Sequence, residues 1–306
     1  MNIRQKEQLV KERLEPLKAL MDSCVLCPRE CKVNRNKGQK GFCRTANKVK
    51  IASWNRHRGE EPFISGTNGS GTIFVSSCTL KCKFCQNFPF SQMDHGIELE
   101  PYELAEKYDI LAEKRVHNIN FVTPTHVVPM LLEAWLLSSD KAKSLPIVYN
   151  CSGYESKIVL DLLEGIIDIY LPDIKYADNE TALELSSAPN YVENNLRTIK
   201  QMHDQTGPIQ IDPNTGLATK GLAVRHLVLP NGYAGTEISL SRLKELLGTD
   251  VYLSVMCQYF PAYKAHEIPF LDKPLPEEDF FKILDLIEQL GFENALTQDP
   301  YDPGGA

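Results

Sequence analysis

The sequence predicts an α/β protein in which a parallel sheet curves into a partial (β/α)6 barrel with helices packed outside it. Three observations carry this. Six short β-branched runs, at 72–77, 119–122, 147–150, 167–171, 223–229 and 251–256, alternate with helical patterns at 101–115, 127–138, 155–164, 190–205 and 236–247, and a last helix falls at 276–290. Strand–helix alternation of this length calls for parallel strands joined by crossovers, although an open doubly wound sheet shares the pattern. The runs are apolar, while polar groups gather at their carboxyl ends, where such sheets bind ligands. The 306 residues, 42% of them hydrophobic, suffice for one large core.

Taken in order, residues 3–22 place Leu9, Val10, Leu14, Leu17, Leu20 and Met21 at helical spacing, with Pro16 expected to kink the helix or start a new turn. Residues 23–48 have no period and are rich in Cys, Gly and basic residues, which suits a segment held by metal. The run Gly66-Thr-Asn-Gly-Ser-Gly71 is a loop leading into the first strand. The expected organisation is an N-terminal helix (1–22), a cysteine-rich metal-binding segment (23–65), the α/β core (66–295) and a flexible tail (296–306) ending Pro-Gly-Gly-Ala.

No apolar run reaches the length of a membrane span, and the N-terminus is charged and amphipathic rather than a signal peptide. The expectation is a soluble, cytoplasmic protein. The net charge of −7 argues against a generally basic nucleic-acid binder. Residues 29–58 nevertheless carry ten Lys or Arg against the single acid Glu30, a patch suited to an acidic electron carrier, a nucleic-acid backbone or plain solvent.

Seven of nine cysteines fall in two groups. Tight groups in a large chain of this kind read as metal ligands rather than a disulfide framework. Cys78, Cys82 and Cys85, spaced C-x3-C-x2-C directly after the first strand, can surround an iron–sulfur cubane and leave one iron open, as catalytic metal sites do. The other reading is a zinc site completed by a distant fourth ligand. Cys24, Cys27, Cys31 and Cys43 form a complete set of four, which suits structural zinc or an auxiliary Fe–S cluster; spacing does not choose between them. Gly38 and Gly41 permit tight turns there.

The remaining strand ends are Thr123-Pro-Thr-His126, Asn150-Cys-Ser-Gly153, Pro172-Asp-Ile-Lys175, the run through Arg225 and His226 to Pro230, and Cys257-Gln-Tyr-Phe-Pro261. Asp173 can hold an amino or ribose group and Lys175 can pair with a carboxylate, or the two can be a solvated strand-end pair. Arg225 can meet a ligand carboxylate or sit in a structural ion pair. His126 can serve a substrate, although a lone His is more often structural.

Cys78-Thr-Leu-Lys-Cys82-Lys-Phe84-Cys85, with its aromatic residue before the third Cys, resembles the signature of the radical S-adenosylmethionine (SAM) superfamily. The segments Cys24-Val-Leu-Cys-Pro-Arg-Glu-Cys31, Gly69-Ser-Gly-Thr-Ile-Phe74, Cys85-Gln-Asn87, Phe121-Val-Thr-Pro-Thr-His126, Asp173-Ile-Lys175 and Val224-Arg-His-Leu-Val-Leu-Pro230 are similar to the pyruvate formate-lyase activating enzyme-like branch, particularly its PflX-like members. The resemblance implies a [4Fe-4S] cluster on Cys78, Cys82 and Cys85 whose open iron is chelated by SAM. It further implies reductive cleavage of SAM to a 5′-deoxyadenosyl radical, which abstracts hydrogen from a protein, peptide or small-molecule substrate. An oxidoreductase resembling the activases of glycyl-radical enzymes, served by reduced flavodoxin or ferredoxin, is then expected. Phe84, Thr123, Thr125, His126, Asn150, Ser152, Asp173, Lys175 and Arg225 become the candidate SAM contacts, with Lys175 and His126 the candidates for catalysis. Thr123-Pro-Thr-His126 stands where many relatives carry Gly-Gly-Glu, so Thr hydroxyls and strand-end carbonyls are left to accept the amino hydrogens of SAM. The competing class is a non-catalytic zinc- or RNA-binding protein that uses the basic four-cysteine segment.

Overall fold

The computed structural model describes residues 1–298. The strands are β1 (Val49–His57), β2 (Ser70–Val75), β3 (Ile97–Leu99), β4 (Ile119–Val122), β5 (Ile147–Cys151), β6 (Ile169–Pro172), β7 (Gln210–Ile211), β8 (Ala218–Leu227), β9 (Tyr252–Met256) and β10 (Ala295–Gln298). The helices are α1 (Ile3–Ala19), α2 (Pro62–Ser65), α3 (Phe88–Ser91), α4 (Pro101–Glu113), α5 (Val128–Leu137), α6 (Asp140–Lys143), α7 (Lys157–Leu163), α8 (Asn179–Ser186), α9 (Tyr191–Thr206), α10 (Thr236–Leu247) and α11 (Glu277–Leu290). One sheet, ordered β10-β9-β8-β6-β5-β4-β2-β1-β3, runs parallel from β10 to β2 and is unclosed among the described residues.

The alternation of the strands decides which side chains face which layer. Ile73, Val75, Ile119, Phe121, Ile147, Tyr149, Tyr170, Leu222, Val224, Leu253 and Val255 pack on the helix-covered side, in one core with residues of α1, α4, α5, α7, α9, α10 and α11. Their neighbours Val148, Ile169, Leu171 and Ala223 point to the other face, where Phe63 and Ile64 of α2 meet them. Phe63 is buried and stands edge-on to Tyr252, with ring centroids 5.3 Å apart. A third core covers the carboxyl ends of the strands and includes Leu80, Cys82, Phe84, Tyr154, Tyr176 and Tyr191.

Three features lie outside the sequence reading. β1 pairs antiparallel with β2 from Ile51 to His57, so residues 49–65 join the sheet and its plug rather than the cysteine-rich segment. β10 pairs parallel with β9, and Leu296 packs into the inner core, so residues 296–298 form a strand and not a tail. The rest of the expected flexible tail, residues 299–306, lies outside the described residues. α1 runs on through Pro16, whose missing N–H falls near the helix end. It docks Val10, Leu14 and Leu17 on the core, and the Lys6 ammonium bonds Asp168 at 2.5 Å.

Because Phe63 is buried in this inner-face cluster, Phe63→Ala is expected to cost about 3–5 kcal/mol, as for other large core truncations. Urea unfolding should show a lower midpoint at unchanged slope, and an unchanged midpoint would mean that the plug is not part of the cooperative core.

Candidate functional site

The chain leaves β2 through Ser76 and Ser77, the latter in the left-handed region at φ +69°, and enters the loop that bears Cys78, Cys82 and Cys85. Five hydrogen bonds hold the backbone of this segment. The His126 ring meets the Ser76 carbonyl at 2.9 Å, Arg29 Nε donates to the Thr79 carbonyl at 2.6 Å, and Gln92 Nε2 donates to the Leu80 carbonyl at 3.4 Å. The amides of Lys81 and Lys83 donate to the carbonyls of Ser186 and Leu185, two last-turn carbonyls of α8 without an intrahelical partner. Leu80 and Phe84 are the buried anchors, and Phe84 stands edge-on to Tyr176 and Tyr259.

Each sulfur has a polar neighbour. The Leu80 N–H donates to Cys78 Sγ at 3.3 Å, the Ser186 hydroxyl to Cys82 Sγ at 2.9 Å, and Ser91 Oγ lies 3.1 Å from Cys85 Sγ. Burial pushes the Cys78 thiol up to about 12 and the Cys82 thiol up to about 11. Three thiolates in such surroundings need a metal's positive charge, and donors already aimed at the sulfurs suit an anionic cluster. The residues present therefore fit a cluster held by three cysteines.

Lys175 faces this trio. Burial works against its ammonium, but Asp173 at 2.5 Å, then Cys82 and Cys85, outweigh burial and raise its pKa. Asp173 also faces Arg225, which lies beside it across β6 and β8, with Oδ1 and Nε 3.7 Å apart. Arg225 continues to Glu60 at 3.2 Å and Glu61 at 3.7 Å, both on the loop before α2. A row of alternating charge thus runs from the α2 loop to the cysteines. Asn195 Nδ2 steadies it by donating to the carbonyls of Asp173 and Gly153, at 2.8 and 3.1 Å. Gly153 is required at φ +67°, since a Cβ there would lie 2.1 Å from Asn195 Nδ2.

Of the candidate residues, Asp173, Lys175 and Arg225 are joined in this row, and Lys175 brings it to Cys82 and Cys85. Phe84 packs beside them. Asn150 is the penultimate residue of β5, before Cys151, the Ser152 carbonyl accepts from the Tyr191 hydroxyl at 2.9 Å, and Thr123 turns at φ +64° with its amide on the Asn150 carbonyl. Two candidates have other work. His126, expected to be open to catalysis or SAM, is fully buried. Burial, then the charge of Arg35, depresses it to about 3, so a neutral ring holds the Ser76 backbone. Thr125 gives its hydroxyl to the buried Glu155 at 2.7 Å. Sequence reasoning missed Ser91, Ser186, Glu60, Glu61 and Glu155. The only signal for the pair was two adjacent acids, Glu60 and Glu61, directly after a basic stretch.

Burial raises the Cys27 thiol, and the charges of Cys43, Cys24 and Cys31 add to this, but among the described residues no three His, Cys, Asp or Glu side chains gather closely enough to hold a single metal ion. The Phe42 N–H points to Cys31 Sγ at 3.4 Å and the buried Arg35 guanidinium to Cys24 Sγ at 3.9 Å. All nine cysteines are free thiols, and no helix among the described residues is long and apolar enough to cross a membrane.

The sequence pattern of the radical SAM superfamily matches residues 72–215. An uncharacterized protein of Methanocaldococcus jannaschii is 32% identical over 300 residues, which is 94% of this chain and 81% of that relative. A solved radical SAM methyltransferase from Sphaerobacter thermophilus shares the fold at a TM-score of 0.52 and 14% identity. SuiB of Streptococcus suis, solved bound to S-adenosylmethionine, does so at 0.50 and 13%. Those two matches cover 74% and 73% of this chain, but this chain spans only 65% and 48% of theirs.

Glu155 gives the site a measurable pH signature. Burial pushes its carboxyl from 4.5 up to about 7, against the hydrogen bonds from Thr125 and Tyr149. Between those values the unfolded chain binds fewer protons than the folded one, so stability falls as pH rises from 4.5 to about 7 and then levels. The loss should approach about 3 kcal/mol at ~1.4 kcal/mol per unit. Glu155→Gln should flatten this slope in urea unfolding series, and parallel profiles for the two proteins would refute the assignment.

Proposed function

Because the chain belongs to the radical SAM superfamily, whose reaction begins with reductive cleavage of SAM, we propose that Cys78, Cys82 and Cys85 hold the [4Fe-4S] cluster at which it does so. The carrying observation is the placement of three sulfurs, each with a polar neighbour, against the Lys175–Asp173 pair. When bound, the cluster and SAM supply the one-electron cleavage that yields a 5′-deoxyadenosyl radical for hydrogen abstraction. The protein's part is to place and shield. Lys175 can take the SAM carboxylate, Asp173 and Ser152 can take amino or ribose groups, and the third core keeps bulk water from the sulfurs.

Arg225 is already held by three carboxylates, so it orients Asp173 rather than reaching SAM itself. Within the superfamily we place the chain with the activating enzyme-like, PflX-like branch, on the segments that resemble it. A peptide or glycyl-radical protein and a small molecule are both compatible substrates. The electron comes from a reduced flavodoxin or ferredoxin, for which the cleft beside Ser77 offers Lys40 and Arg44, its other two cations being paired, Lys48 with Glu100 and Lys50 with Asp94. Zinc or a second cluster completes the N-terminal cysteine set. Free thiols throughout suit a reducing compartment such as the cytoplasm.

Anaerobically reconstituted protein should absorb near ~400 nm, as Fe–S proteins do. With dithionite it should convert SAM to 5′-deoxyadenosine and methionine. Cys82→Ala should abolish that product, and Ser186→Ala should weaken cluster retention about tenfold, as loss of a ligand's hydrogen-bond partner typically does. S-adenosylhomocysteine as the product would show methyl transfer instead. A colourless zinc protein that binds RNA with a steep salt dependence would replace the enzyme reading.

A further inference from the structure

The turn that ends β4 is held in a conformation its residues resist. Thr123 lies in the left-handed region at φ +64°. It is β-branched and precedes Pro124, and both properties push a residue towards extended backbone. Such strain persists only where the surroundings over-determine it, and it gathers at ligand sites. Four bonds hold the turn here. The Thr123 N–H donates to the Asn150 carbonyl and the Val127 N–H to the Pro124 carbonyl, each at 2.9 Å. The His126 ring meets the Ser76 carbonyl at 2.9 Å, which ties the turn to the three-cysteine loop. The Thr125 hydroxyl donates to Glu155 Oε1 at 2.7 Å.

The geometry points to Glu155 as a positioning residue that latches the Thr123–His126 turn from behind and, through that turn, sets how tightly SAM is bound. The inference rests on the function proposed above and deepens it by naming what keeps the ligand's surroundings in shape. Glu155 lies in the loop between β5 and α7 and is fully buried. Its Oε2 accepts from the Tyr149 hydroxyl at 2.8 Å, and its backbone carbonyl accepts from Arg197 of α9. One residue thus ties the end of β4 to β5 and α9. The same loop steadies the opposite wall, since Asn195, two residues before Arg197, bonds the carbonyls of Gly153 and Asp173. Of the four turn residues only Thr123 is half-exposed; Pro124, Thr125 and His126 are buried. The latch therefore lies behind the turn and leaves Thr123 to meet the ligand.

Fold stability does not explain a carboxyl at this position. Burial pushes it up to about 7, so its charge costs stability. Yet the ionised form is the better latch, because both oxygens then accept. A proton turns one acceptor into a donor, and either Thr125 or Tyr149 must give up its bond. The groups facing the carboxyl are Thr125 from the turn, Tyr149 and Cys151 from β5, Tyr170 from β6 and Arg197 from α9.

The test is equilibrium dialysis of SAM against the anaerobically reconstituted full chain, with hydrogen exchange across residues 121–128 followed in the metal-free protein. Thr125→Val keeps the shape and removes the donor. It should weaken SAM binding about tenfold, the worth of a hydrogen bond to a charged acceptor, and speed exchange of the Thr123 and Val127 amides. Wild type should bind SAM more weakly as pH falls below about 7, whereas Glu155→Gln, which cannot ionise, should bind it with an affinity independent of pH. Wild-type affinity and exchange in Thr125→Val overturn the proposal, and so does a pH profile shared by wild type and Glu155→Gln. Faster exchange in Thr125→Val beside a wild type that binds no SAM at all would keep the latch and sink the SAM reading.

Discussion

Three thiols, of which burial pushes Cys78 and Cys82 towards the protonated form, are useful as ligands only if the backbone that carries them is already fixed. That constraint organises the carboxyl end of this sheet. The segment from Ser76 to Cys85 makes no regular structure, yet its carbonyls and amides are taken up by His126, Arg29, Gln92 and the end of α8. Each such hydrogen bond is worth only about 1 kcal/mol net. Their value lies in distribution, because they come from four separate parts of the chain. α8 serves twice: its last carbonyls receive the loop amides, and Ser186 at the same end reaches the Cys82 sulfur.

The charged row beneath the loop follows from the same need. Glu60, Glu61, Arg225, Asp173 and Lys175 are mostly buried, and burying charges costs several kcal/mol each before pairing offsets it. A stability argument does not explain the row, since apolar packing would serve as well. What it supplies is a fixed dipole pattern that needs no rearrangement when a zwitterionic ligand arrives. Glu60 shows the strain: burial raises its carboxyl most, and Arg225 pulls it down. The plug at the inner face therefore does two jobs, with Phe63 and Ile64 filling space and the acids just before them gripping Arg225.

Much of this was legible because periodicity and chemistry agreed. Helices α4, α5, α9, α10 and α11 fall within a few residues of their expected spans, and Cys78, Cys82, Cys85, Asp173 and Lys175 stand where strand ends place ligands. β1 was hidden because its burial pattern mixes buried and half-buried positions and its residues include the basic stretch. β10 was hidden because it is a four-residue edge strand that pairs only with β9. His126 shows a different limit. Sequence places it at a strand end, but only the fold reveals that its ring turns to a backbone carbonyl and loses its charge to burial. Glu60 and Glu61 were unreadable for a related reason, since their partner Arg225 lies 165 and 164 residues away and two adjacent acids do not by themselves name a distant partner.

The contact between the two cysteine sets limits how independent they can be. Arg29 is half-buried, and Cys27, Cys31 and Cys78 all act on it. A cation shared in that way carries the state of one anionic centre to the other, because screening by water is weak at such a depth. Lys81 repeats the arrangement from the opposite loop, under the charges of Cys43 and Cys78. Ionisation at the two cysteine sets is therefore one electrostatic problem, held together by a guanidinium, an ammonium and the ring of Phe42.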